Sequence, residues 1–261
     1  MTRLFAPPRI LSRSDQRAFV KEAMRRLDNP ARRRFLKGAA SVGAFALLSG
    51  CDITDGISAE GALRAMSDFN DRVQAALFDP VKLAEEFPES AVTRPFPFNA
   101  FYPREEAPAV DPADYALEVS GLVERKDGWT LDKLYALPQV SQITRHVCIE
   151  GWTAIGKWSG VRFADFLKLI GADLSARYVG FTCADGYATS IDMPTALHPQ
   201  TQLTFRFMDE VLPRIYGFPM KLRMPTKLGY KNPKHITEIF VTNDYPGGYW
   251  ETYGYNWFSG L

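Results

Sequence analysis

Two short runs, Tyr178 to Cys183 and Tyr187 to Ile191, flank the pair Asp185-Gly186. Apolar-rich runs on either side of Asp-Gly are a strong hairpin signal, because glycine enters the left-handed turn position at no steric cost. A hairpin with one apolar face needs partners, and other short runs supply them. Tyr115 to Val119 alternates apolar with polar, Leu203, Phe205 and Phe207 alternate again, and Lys221 to Met224 and Ile236 to Val241 add two more strands. Helical periodicity is scarcer. Leu63, Met66, Phe69, Val73 and Leu77 recur at helical spacing between Gly61 and Phe78, ahead of Pro80, and predict an amphipathic helix packed on the domain. Thr130 is placed to cap a short helix from Leu131 to Leu137, and Phe163, Phe166, Leu167 and Ile170 mark another, closed by Gly171. Pro88, Pro95, Pro97, Pro103, Pro108 and Pro112 stud a stretch that a sheet interior excludes, so it should wrap the surface as extended chain. The class is α+β with a β-rich core, and 261 residues allow one large domain or two small ones.

Charge is unevenly placed. Residues 1–50 hold 11 Lys/Arg against 3 Asp/Glu, which leaves 20 against 27 for the rest. The body is therefore mildly acidic, and a nucleic-acid surface is not expected. Within the leader, Arg32-Arg33-Arg34-Phe35-Leu36-Lys37 precedes an uncharged run from Gly38 to Gly50 that is too short to span a bilayer. Arg-Arg-x-Phe-Leu-Lys resembles a twin-arginine export signal for folded proteins, against the alternative of a basic amphipathic arm. Leu47-Leu48-Ser49-Gly50-Cys51 resembles a lipobox, with Cys51 as the lipid-bearing residue. The expected organisation is a leader over 1–50, a tether and amphipathic helix over 51–95, and the functional domain over 96–261.

Cys148 stands in Arg145-His146-Val147-Cys148-Ile149-Glu150-Gly151-Trp152, on what reads as a loop between the two short helices. Three readings compete for its thiol: a small buried hydrophobe, half of a disulfide with Cys183, or a metal ligand. A second cluster, Lys221 to His235, packs six cationic or imidazole side chains into fifteen residues. Such a run is often a solvated face or a lysine-blunted sheet edge, yet cations and N–H donors on a glycine-bearing turn also suit a phosphate. Phe98-Asn99-Ala100-Phe101-Tyr102 is a third candidate, where aromatics can simply plug loop to core. The three histidines, His146, His198 and His235, are too scattered for a zinc site, and no haem or iron–sulfur cysteine pattern is present.

Cys-x-Glu-Gly-Trp followed by Trp158-Ser159-Gly160-Val161, with Asn99-x-Phe101-Tyr102 and Pro225-Thr226-Lys227-x-Gly229-Tyr230-Lys231, resembles the sulfite oxidase fold family of molybdopterin-dependent oxidoreductases. The nearest likeness is to the bacterial single-domain branch that includes the periplasmic methionine sulfoxide reductase subunit. The resemblance implies that Cys148 binds molybdenum through its thiolate and that Asn99, Phe101 and Tyr102 line the pterin. It places Lys231, Asn232, Pro233 and Lys234 at the pterin phosphate, and Thr182 or Cys183 near the cofactor. Tyr216 falls where the reductase branch has asparagine, and Lys221 where arginine is usual. Arg145 is a candidate for attracting an anionic substrate or for pairing with Glu150. The expected activity is oxygen-atom transfer on a sulfur substrate, most simply S-oxide reduction such as that of protein methionine sulfoxide. Sulfite oxidation is the alternative, and a catalytically silent lipoprotein of the same fold the second. The resemblance further implies a monomer in the periplasm, fed by a membrane b-type cytochrome.

Overall fold

The computed structural model describes residues 59–261, so the leader, Cys51 and most of the tether lie outside the described residues. Among the described residues every strand lies within the compact unit Leu63–Leu261. Ten strands among the described residues form two five-stranded sheets. In the first, β1 (Ala116–Gly121), β2 (Trp129–Thr130), β5 (Tyr178–Cys183), β6 (Ala188–Asp192) and β10 (Ile236–Thr242) run in the order β2-β1-β10-β5-β6. Only β1 and β10 are parallel, with Glu118 opposite Glu238. In the second, β3 (Val140–Val147), β4 (Thr153–Arg162), β7 (Gln202–Phe207) and β8 (Glu210–Val211) follow in order, and β9 (Lys221–Arg223) pairs with β7 beside β8, on the edge away from β4.

Five helices, α1 (Ala59–Leu77), α2 (Leu131–Tyr135), α3 (Phe163–Leu169), α4 (Met193–Ala196) and α5 (Tyr249–Thr252), complete the described residues, with 3-10 turns between strands. The sheets and α3 share one core, built on Leu117, Phe166, Phe181, Phe205, Leu222 and Ile239. Burying one such side chain contributes about 1.5–3 kcal/mol. Gly171, at φ +65°, closes α3 as its sequence position suggests. The Asp185-Gly186 turn likewise joins β5 to β6, with Gly186 at φ +79°. Thr130 stands at the start of α2, but its side chain makes no capping bond.

Two expectations change. The loop expected around Cys148 is the tip of a long hairpin, since β3 and β4 pair over eight residues from Val140–Gly160 to Val147–Thr153. The inward positions of β3 are Gln142, Thr144 and His146, all buried and all polar, so the apolar alternation that announces a strand is missing. The helix α1 exists, but its apolar stripe faces outward: Met66, Phe69, Val73 and Leu77 are exposed. It is the polar edge that docks. Asp71 accepts the backbone N–H groups of Trp257 and Phe258, and Gln74 accepts that of Gly260 at 3.0 Å. Capping otherwise orphaned donors of the C-terminal segment outweighs burial of the stripe. No helix among the described residues is long and apolar enough to cross a membrane.

Candidate active site

The β3–β4 hairpin ends in a tight turn. Cys148 N–H donates to the Trp152 carbonyl at 2.9 Å, and Gly151 N–H to the Cys148 carbonyl at 3.1 Å, with Gly151 in the left-handed region at φ +93°. This places the Cys148 thiol, 7% exposed, in the wall of a cleft of about 170 Å³. Four other segments converge there. The proline-rich wrap brings Asn99, Phe101 and Tyr102, the β5–β6 turn brings Asp185 and Tyr187, the β9–β10 connection brings Gly229, Asn232, Pro233 and Lys234, and the C-terminal segment brings Trp250 and Tyr255.

Cys148 and Cys183 are both free and buried, so no disulfide joins them. The Cys148 thiol donates to Glu150 Oε2 at 3.6 Å, and the same oxygen accepts Trp152 Nε1 at 2.8 Å. Burial pushes this thiol up from its ordinary value, and the Glu150 carboxylate adds to the rise. A nearby cation is what turns such a thiol into a thiolate. Tyr102 donates its hydroxyl to Asp185 Oδ2 at 3.1 Å, and burial holds that phenol protonated.

Behind the cleft lies positive charge without a matching anion. Lys221, Arg223 and Lys234 have no carboxylate within ion-pair distance among the described residues. Arg223 donates to Asn232 Oδ1 at 3.3 Å, to Thr144 Oγ1 at 3.1 Å and to the Arg145 carbonyl. Lys221 sits 4.8 Å over the Trp158 ring, and Lys234 donates to the Asn99 carbonyl. Burial lowers Lys234 to about 8 and Arg223 to about 9, and it pulls Lys221 well below its usual value. The same burial, reinforced by Arg223, Lys221 and Lys234, keeps His146 neutral. Two buried polar atoms in this layer, His146 Nδ1 and Arg223 Nε, have no hydrogen-bond partner. Asp185 acts on Lys234 only beyond ion-pair distance, and among the described residues no anion acts on Lys221 or Arg223. An uncompensated buried cation is costly, so this layer calls for a bound anion.

The proposed site residues separate accordingly. Asn99, Phe101, Tyr102, Cys148, Asn232, Pro233 and Lys234 come together in the cleft wall. Lys221 stands behind it, beside Lys234 in the cationic layer. Cys183 is buried beneath the floor, within the electrostatic reach of Asp185 and Lys234. Thr182, its neighbour on the strand, points the other way and donates to Glu238 Oε2 at 3.1 Å. Tyr216 packs 4.9 Å from Phe207 and donates to the Phe96 carbonyl at 2.6 Å, away from the cleft. Lys231 points into the first sheet, where it pairs with Glu251 and donates to Thr189 Oγ1 at 3.0 Å. Arg145 lies on the outer face of β3, 3.7 Å from Glu85 and over the Phe87 ring, rather than beside Glu150. Adjacent strand residues face opposite ways, so the strand that turns His146 inward turns Arg145 out.

Sequence reasoning passed over Arg223, His146 and Asp185 as site residues. A signal did exist for the first two: Arg223 follows Lys221 by two positions on one strand face, and His146 precedes Cys148 by two at the strand's end.

The donor set points to one kind of occupant. Among the described residues no group of three or more His, Cys, Asp or Glu side chains converges as a metal cage. Cys148 therefore offers a lone soft donor, which suits a metal arriving with its other ligands attached to an anionic carrier. The Gly229 backbone lies close under this layer: a Cβ there would meet His146 Nε2 at 2.6 Å.

The oxidoreductase molybdopterin binding domain profile matches residues 104–250. A putative protein-methionine-sulfoxide reductase subunit YedZ1 of Azospira oryzae is 64% identical over 240 residues, 92% of each chain. The protein-methionine-sulfoxide reductase catalytic subunit MsrP of Ralstonia nicotianae is 29% identical, covering 62% of this chain and 58% of its own. Mitochondrial sulfite oxidase of Drosophila melanogaster is 31% identical, over 62% of this chain and 34% of its own. Among solved structures, the sulfane dehydrogenase SoxCD of Paracoccus pantotrophus shares the fold at a TM-score of 0.50 and 19% identity, over 53% of this chain and 40% of that one. With a lone cysteine thiol facing a cleft backed by buried, unmatched cations, the chain belongs to the oxidoreductase molybdopterin-binding domain family and is a molybdopterin-dependent oxidoreductase of the sulfite oxidase fold.

Proposed function

We propose that the protein reduces S-oxides, foremost methionine sulfoxide within polypeptides, taking up two electrons and two protons to release a thioether and water. When bound, the cofactor supplies a molybdenum centre that exchanges an oxygen atom with sulfur substrates. Cys148 is the metal's protein ligand, while Lys234, Lys221 and Arg223 hold the anionic part of the cofactor through charge and hydrogen bonds. Asn232 fixes Arg223 by accepting from it, and also accepts the Met224 N–H.

The single observation behind the choice of substrate is the charge at the cleft mouth. Glu150 and Asp185 line it together with Lys234, whose charge is taken up by the anionic cofactor, and Arg145 is turned away. Two carboxylates repel sulfite, an anion, and leave a neutral sulfoxide unaffected. Sulfite oxidation is the second reading, favoured by the 31% identical sulfite oxidase and by the positive layer behind the cleft. One assay separates them: reduced viologen dye with a methionine-sulfoxide peptide, and in parallel sulfite with an electron acceptor. Turnover is expected in the first arm, and turnover only in the second overturns the choice.

The same reading puts the protein in the periplasm as a monomer, exported by the Arg32-Arg33-Arg34 signal and tethered through lipid on Cys51. Its electrons come from a membrane b-type cytochrome, since the chain's three cysteines and three histidines form no haem or cluster motif of its own. Arg32→Lys with Arg33→Lys and Arg34→Lys should strand the protein in the cytoplasm, and Cys51→Ala should free it from membranes. A triple variant that still reaches the periplasm would sink the export reading.

A further inference from the structure

One wall of the cleft continues to the surface as a band of aromatic rings. Phe101 stacks on Tyr249, with centroids 5.1 Å apart and planes at 20°. Tyr249 meets Trp250 edge-on at 5.2 Å and Tyr253 at 5.4 Å, and Trp250 meets Tyr255 at 5.0 Å. Phe101, Trp250 and Tyr255 line the cleft itself. Outward, Tyr253 is 67% exposed, Phe101 42% and Tyr255 39%.

These rings are held out rather than left loose. The buried Glu251–Lys231 pair fixes α5 against the first sheet, and Asp71 and Gln74 of α1 pin the chain just beyond Tyr255. A rigid, exposed aromatic band marks a contact surface, because Tyr and Trp present large area at small conformational cost. Its place defines what it contacts. The band starts in the cleft that holds Cys148, so any molecule whose sulfur-bearing side chain enters that cleft lays its neighbouring atoms along the rings. Two ring-to-ring steps of about 5 Å match roughly three residues of extended chain at about 3.3 Å each. The band carries no cation, and Glu150 and Asp185 stand at its inner end, so acidic sequences are disfavoured there.

We propose that the band of Phe101, Tyr249, Trp250, Tyr253 and Tyr255 is a subsite for the residues flanking the sulfur-bearing side chain, selecting extended, apolar polypeptide segments over acidic ones and over small free S-oxides. The inference rests on the S-oxide reading for its chemistry, and the test separates the two. Eight-residue peptides carry one methionine sulfoxide flanked by Leu and Phe, or by Gly and Asp, with dimethyl sulfoxide as the small substrate. Their non-oxidised methionine forms serve for calorimetric binding to the purified, cofactor-loaded protein. Tyr253→Ser and Tyr255→Ser alter partly exposed rings, and molybdenum content with circular dichroism confirms that each variant is folded and loaded.

The expected result is that the Leu/Phe-flanked peptide has a several-fold lower KM than the Gly/Asp-flanked one. Each variant then lowers its kcat/KM relative to dimethyl sulfoxide by about five- to tenfold, mostly through KM, and weakens methionine-peptide binding by a similar factor. Equal losses on peptide and dimethyl sulfoxide, or unchanged peptide affinity in both variants, overturn the subsite. A wild type that reduces no S-oxide yet binds the apolar peptide through Tyr253 and Tyr255 sinks the S-oxide reading and leaves the subsite standing.

Discussion

Removing the Lys231 ammonium should unfold the protein more readily without stripping its cofactor. Lys231 and Glu251 have side chains only 1% and 4% exposed, and each is the other's charge partner. The Lys231 ammonium also donates to Thr189 Oγ1 and lies 5.6 Å from the Trp257 ring. In Lys231→Ala, Glu251 keeps a buried carboxylate with only the Thr189 hydroxyl left to satisfy it. Breaking a buried pair from one side costs about 3–5 kcal/mol. At about 2–4 °C per kcal/mol for a domain of this size, Tm should fall by roughly 6–20 °C. Lys231→Met combined with Glu251→Leu removes both charges and should recover most of the loss, since apolar replacement of a whole buried pair is often neutral. Differential scanning calorimetry gives the Tm values, and elemental analysis of the folded fraction gives molybdenum occupancy. Lys231→Ala with unchanged Tm and lost molybdenum would refute the reasoning and return Lys231 to the phosphate.

Three further outcomes are expected. Gly229→Ala drives a Cβ to 2.9 Å from His146 Cε1 and 3.3 Å from the Val147 carbonyl, so denaturant unfolding should show a loss of about 1–3 kcal/mol together with poorer cofactor retention. Lys227, its ammonium 3.0 Å from the Phe258 ring centroid, is lowered by burial from 10.5 to about 7. Between pH 7 and 10 the unfolded chain binds the extra proton, so stability should rise with pH by up to roughly 4 kcal/mol, less whatever the cation–π contact restores. Lys227→Met should remove its own share of that rise in urea titrations and leave the shares of Lys221 and Lys234 in place. Arg145→Ala, which removes only an exposed contact to Glu85 and a ring contact to Phe87, should change kcat/KM less than twofold and molybdenum content not at all.

What the sequence announced and what it withheld divide along physical lines. The Asp185-Gly186 hairpin and the short helix closed by Gly171 rest on local backbone chemistry, which a sequence displays directly. The Cys148 string was also visible, but its strands were not, because β3 turns Gln142, Thr144 and His146 toward the buried cationic layer and so breaks the apolar alternation. The basic cluster was apparent as composition, yet orientation decides its roles. Lys231, in the 3-10 turn Gly229–Lys231, points to Glu251 twenty residues later, whereas Lys234 points to the cleft. No local pattern encodes a partner that distant. Nor does one reveal that α1 docks by Asp71 and Gln74, or that the aromatic C-terminus folds back to wall the cleft.

The role of Cys148 is tested most directly at the metal. Protein expressed as the full chain in a molybdopterin-producing host should contain about one molybdenum per chain, and X-ray absorption at the metal edge should show the Cys148 thiolate among its sulfur neighbours. Cys148→Ser should lose one of those sulfurs and its activity while keeping the fold, because a hydroxyl is a poor substitute for a soft thiolate. Wild-type protein without molybdenum, or an unchanged sulfur count in Cys148→Ser, would contradict the assignment of Cys148.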